Sequence, residues 1–205
     1  MKKAYIAAAF SALLLLNAAG CGAAETENIS RIAPMALTEE QAEIVDLLST
    51  EKNSLYLFDL QTEEPYAEAV FWVEAYHYGE KVETQPIAVN LRYDQAKPLK
   101  GRLAAVVEQG EATAWSLIYL DEDGTKVCTD GTVELPKGAS ALSRASVALE
   151  APCEITGERE AVLYACAFLQ GTAADAFAAQ DFLHADTLKE YEYVQILKCR
   201  CSSGG

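Results

Sequence analysis

The stretch Ile87-Ala88-Val89-Asn90-Leu91-Arg92-Tyr93-Asp94 decides the fold. Ile87, Val89, Leu91 and Tyr93 alternate with Ala88, Asn90, Arg92 and Asp94, so large apolar side chains point one way and small or polar ones the other. That is a half-buried strand, and Pro86 stands at its start, where a missing N–H is tolerated. The same period of two continues outward in both directions. Upstream, Ala67, Ala69, Phe71, Val73 and Ala75 form a wholly apolar face, with His77 at its end. Glu68, Val70, Trp72, Glu74, Tyr76 and Tyr78 form a mixed face, and Gly79 turns the chain.

Downstream, 102–108 and 113–120 read as strands, and Asp123-Gly124 between apolar runs marks a hairpin into 126–135, which Gly131 divides. Ala145, Val147 and Leu149 alternate again; 161–169 is a further strand, and a last one runs from Tyr191 into Cys199. Helical periodicity is confined to two places. Thr38 and Gln41 make a capping box ahead of Ala42, Val45 and Leu48 (with Ile44), which predicts a short helix over 39–48. The alanine-rich run 172–183 is a candidate second helix. About nine short strands separated by turn signals, without strand–helix alternation, predict a mainly β protein. The expected fold is an antiparallel β-sandwich of immunoglobulin-like architecture over 37–205. Its core is expected from Phe71, Val73, Ile87, Val89, Leu91, Leu117, Val147 and Leu163.

The N-terminus has a different character. Lys2 and Lys3 precede thirteen uncharged residues, Ala4 to Leu16, which close on four leucines; Asn17 and Ala18-Ala19-Gly20-Cys21 follow. A basic start, an apolar run and small residues make a secretory signal over 1–20. Ala18-Ala19-Gly20-Cys21 resembles the lipobox of bacterial lipoprotein precursors. The resemblance covers this leader alone. It implies lipid on the Cys21 sulfur, cleavage before Cys21, and a membrane partner reached through that lipid, with residues 21–36 as lipidated cysteine and flexible tether. Two other readings stay open: cleavage after Ala24, which frees a soluble secreted protein, and an uncleaved apolar helix over 4–24 near the ~20 residues that span a bilayer. All three export the remainder.

Charge narrows the partners. The chain carries 16 Lys and Arg against 31 Asp and Glu; without Lys2 and Lys3 the balance is 14 against 31, or −17. Nucleic acid is excluded as a partner, because phosphates need clustered cations. Five cysteines lie beyond Cys21, an odd number that cannot all pair within one chain. Cys153 with Cys166 is the expected disulfide. Cys199-Arg200-Cys201 reads as a frayed tail carrying spare thiols, without the ligand spacing of a zinc site or the context of a redox pair.

No catalytic constellation stands out, and no cofactor or metal is implied. Asp121 to Gly124 does not make a calcium loop, because Tyr119 would fall at the first ligand position. Glu68 and Glu74, six residues apart on one strand, would lie ~20 Å apart at ~3.3 Å per residue. Glycoside hydrolysis needs about 5–10 Å. Cys199, Cys201, His77 and His184 are the only residues on which a hydrolase or redox enzyme could be built. Trp72, Tyr76 and Tyr78 beside carboxylates form a candidate face for a protein or carbohydrate ligand. The sequence therefore points to an exported, lipid-anchored, non-enzymatic binding or scaffold module.

Overall fold

The computed structural model describes residues 29–50, 52–139, 142–171 and 177–203. Over these, two antiparallel sheets face each other as the expected sandwich. In chain order the elements are β1 (Arg31–Pro34), α1 (Glu39–Leu48), β2 (Asn53–Gln61), β3 (Tyr66–His77), β4 (Glu80–Val82), β5 (Ala88–Lys97) and β6 (Lys100–Gln109). There follow β7 (Ala112–Asp121), β8 (Lys126–Glu134), β9 (Ser143–Ala148), β10 (Cys153–Glu154), β11 (Ala161–Leu169), a 3₁₀ helix (Ala179–Leu183), α2 (Ala185–Lys189) and β12 (Tyr193–Ser202). One sheet runs β10-β1-β2-β6-β7-β8; the other runs β4-β3-β12-β11-β9, with β5 also pairing with β3. This order of meanders and hairpins differs from the four-on-three order of immunoglobulin domains.

Period two builds the interior. Phe71, Val73, Ile87, Val89 and Leu91 are buried in the main core between the sheets, as their alternation predicts, and Leu117 and Leu163, whose alternation leaves both faces open, join them there. Trp115 and Gln195 link the two layers through an Nε1-to-Oε1 hydrogen bond of 3.1 Å, which satisfies the indole donor in the core. The strand at 126–135 is not split at Gly131. A Cβ there would lie 2.5 Å from Ile87 Cγ1, so the glycine gives the β5 entrance room to pack on β8. The β3–β4 hairpin turns on Tyr78 and Gly79, both at positive φ (46° and 81°), as two-residue hairpins favour.

Several expectations need correction. Arg31–Pro34, assigned to the tether, is β1; it is hydrogen-bonded between β2 and β10 and buries Ile32 in the core. Val147 is half-buried and packs outward, because β9 pairs it with Ala165, on the face of β11 away from the core. Residues 172–176 lie outside the described residues. Beyond them the chain forms a 3₁₀ turn and a five-residue helix rather than one continuous helix through Leu183. Cys199 and Cys201 are not on a frayed tail, since β12 continues to Ser202 and buries both against β3. All five described cysteines are free thiols, so Cys153 and Cys166 are not bridged; they sit in different sheets, on β10 and β11.

Both outer faces are partly roofed. α1 forms the expected capping box, with Gln41 N–H donating to Thr38 Oγ1 and Thr38 N–H to Gln41 Oε1. Val45 and Leu48 pack with Met35, Leu55, Leu57 and Ile118 on the first sheet. On the second, Phe182, Leu188 and Tyr191 cover Val162, Val194 and Ile196. Gln180 fastens this cover, accepting from Val162 N–H (3.2 Å) and donating to Val162 C=O (2.7 Å) beside a β11 bulge.

Leu91→Ala is expected to cost about 2–5 kcal/mol, from lost burial and the cavity left behind. Arg92→Ala, at an exposed side chain paired with Glu68 at 3.0 Å, should cost under ~1 kcal/mol. Denaturant titrations of the two variants check the register; equal losses would place β5 wrongly.

Candidate functional site

The part of the second sheet's outer face beyond the cover carries a charged cluster beside an open groove. Antiparallel pairing of β3 with β12 sets Trp72 opposite Lys198 and Glu74 opposite Ile196. Lys198 therefore reaches Glu74 diagonally on its own face, a separation long side chains bridge. Its Nζ lies 2.9 Å from Glu74 Oε2 and 2.9 Å from Glu160 Oε2, the latter just ahead of β11. Lys81 of β4 bonds Glu74 Oε1 from the other side, and Tyr76 donates its hydroxyl to Glu74 Oε2 at 2.6 Å.

Glu74 and Lys198 are both buried, so their charges survive only because each is bonded on several sides. Burial pushes the Glu74 carboxyl up, but hydrogen bonds from Lys81, Tyr76 and Lys198 outweigh it and hold it at about 2. Burial pushes the Lys198 ammonium down, and its bonds to Glu74 and Glu160 more than reverse this. Tyr76 is pushed up to about 12 by burial and by the Glu74 carboxylate that accepts its hydrogen bond. At neutral pH Glu74 is therefore a carboxylate, Lys198 an ammonium group and Tyr76 a neutral phenol. None of these three is poised to exchange a proton.

Next to this cluster is a groove of about 630 Å³, at the point where the neighbour of β3 changes from β4 to β5. Trp72, Glu74, Lys81, Glu83, Thr84 and Ala88 line it, among others. Trp72 is half-buried, flanked by Lys198 on one side and the small Ala88 on the other.

Of the residues singled out from sequence, Trp72 and Tyr76 do share this face. Tyr78 does not, because its positive φ places it in the turn, where its ring meets that of His77 at 4.8 Å. Cys21 lies outside the described residues. Cys199 and Cys201 are buried, and burial raises both thiols, Cys201 to about 12, which removes the thiolate a nucleophile needs. His184 ends the 3₁₀ helix through its backbone N–H. Among the described residues no three His, Cys, Asp or Glu side chains gather as a metal site. No helix there is long and apolar enough to cross a membrane. Sequence reading missed Lys198, Glu160 and Lys81. Lys198 carried a signal, a lone cation inside the apolar run from Tyr193 to Cys199, where only a paired charge is stable.

Fold and site together describe a β-sandwich domain with a charge-locked, partly open sheet face. A family model described as the YgaN domain matches residues 31–200, from the first residue of β1 almost to the end of β12, and the chain belongs to that family. No curated protein and no solved structure matches it.

Two measurements check this site. The depressed Glu74 carboxyl contributes stability that is complete above about 4.5, its ordinary value, and is lost as pH falls through about 2. Glu74→Gln should therefore cost roughly 3 kcal/mol at pH 7, the low end for a broken buried pair because Lys198 keeps Glu160. It should also flatten the loss of stability between pH 5 and pH 2. An unchanged acid slope would mean the carboxylate is not held by these bonds. In the folded protein, a thiol reagent should modify exposed Cys128 fast, half-buried Cys153 more slowly, and Cys166, Cys199 and Cys201 only after denaturation. Rapid native labelling at Cys199 or Cys201 would contradict their burial.

Proposed function

We propose that this chain is an exported, lipid-anchored binding module that presents the Trp72 face outside the cytoplasm. The observation that carries the binding reading is selective exposure. The cover from Phe177 to Tyr191 roofs one part of the sheet face and α1 packs on the opposite sheet, while Trp72 stays half-exposed beside a rigid cluster of charges. A large aromatic left partly open among fixed polar groups is the usual composition of a recognition site. The competing enzyme reading loses support because two of its four residues, Cys199 and Cys201, are buried with raised thiols.

The anchoring half of the proposal rests on the leader, Lys2 to Cys21, and its resemblance to a lipobox. Between Cys21 and Ile29, the first described residue, stand seven residues, 22–28, which span at most about 25 Å when fully extended. A lipid on Cys21 would thus hold the sandwich close to the bilayer, with the acidic surface of the domain opposing adhesion to anionic headgroups. Intact-mass analysis of the membrane-extracted mature protein should show a diacylglyceryl-modified N-terminus at Cys21. Cys21→Ala should abolish that modification and move the protein out of the detergent phase. An unmodified N-terminus at Glu25 would replace anchoring with plain secretion.

A further inference from the structure

We infer that the groove beside Trp72 binds a neutral carbohydrate, one sugar ring stacking on the Trp72 indole; this rests on the binding-module reading above. The lining narrows the ligand class. At about 630 Å³ the groove falls within the ~300–1,000 Å³ of small-ligand sites. Glu74, Lys81 and Glu83 give it charged walls, unsuited to a purely apolar guest. The large acidic surplus of the chain disfavours polyanions. A peptide adding as a further strand is also disfavoured, because Val73 N–H already donates to Ile87 C=O at 3.0 Å and closes the edge of β3 there.

A pyranose meets the remaining conditions. Its C–H face is apolar and matches an indole, while each hydroxyl on its rim both donates and accepts. Lys81 supplies donors, and Glu83 and Thr84 supply acceptors, along the same groove as Trp72. Glu74 accepts from Lys81, Tyr76 and Lys198, so the ammonium of Lys81 is oriented before a ligand arrives. Orientation before binding lowers the entropy lost on association. Ala88, directly across the ladder from Trp72, leaves that side of the indole open.

Trp72 reports on its own occupancy. The chain has two tryptophans, and the other, Trp115, is buried in the core, so acrylamide quenching of the folded protein reads Trp72. The test titrates the folded protein with cellohexaose, chitohexaose and mannohexaose, and in a parallel arm with an octalysine peptide. Binding of at least one hexasaccharide should protect Trp72 from acrylamide. By isothermal titration calorimetry, which does not need the indole as reporter, Trp72→Ala should weaken this binding about tenfold or more, as loss of an anchoring aromatic does. Lys81→Met, which leaves the indole in place, should weaken it less, and the unchanged Trp115 signal reports that both variants fold. Protection by octalysine alone overturns the carbohydrate assignment and leaves the binding module standing. Protection by none of the four probes overturns both.

Discussion

The antiparallel ladder between β3 and β12 is the constraint on which the rest depends. It runs from Tyr193 opposite His77 to Ser202 opposite Glu68 without a register shift. Because side chains alternate along each strand, one register sorts every residue of both strands at once. Phe71, Val73, Leu197, Cys199 and Cys201 go to the core, and Trp72, Glu74, Tyr76 and Lys198 to the outer face. A slip of β12 by one residue would put Lys198 between the sheets and Leu197 on the outer face. Core and site are therefore two sides of one pairing.

The outer face shows how a buried charge is kept. Lys198 stands between Glu74 and Glu160, brought by β3 and by the approach to β11, on opposite sides of β12. Replacing such a cluster with hydrophobic residues is often neutral or stabilising, so its worth to the fold alone is small. Its worth to a site is larger. The bonds from Lys81, Lys198 and Tyr76 leave Glu74 few alternative positions, and Trp72 lies two residues away on the same strand face.

The cysteines illustrate the opposite outcome. Beside a leader that reads as an export signal they suggested a disulfide and a loose tail; in the fold Cys166, Cys199 and Cys201 are small core residues. A thiol packs much like an apolar side chain, so pattern alone does not separate a spare thiol from a core one. Alternation would have: Cys199 and Cys201 continue the inward series of Tyr193 and Leu197. The end of that strand was misjudged because chain termini commonly fray, whereas this one is held along its length by β3.

Local patterns alone specified a good part of this protein. The capping box at Thr38 set the start of α1, Asp123-Gly124 set the β7–β8 hairpin, and strict alternation from Ile87 to Tyr93 set which face of β5 is buried. These are short-range effects, decided by residues within a few positions of one another. Tertiary structure alone decided the rest. Arg31–Pro34 becomes a strand only because β2 and β10 flank it, and Val147 turns outward only because β11 offers it Ala165. Lys81, Glu74, Glu160 and Lys198 become one cluster only when β4, β3, β12 and the approach to β11 lie side by side. Glu74 and Lys198 are 124 positions apart in the chain, and an interaction at that distance leaves no period or spacing for the sequence to display.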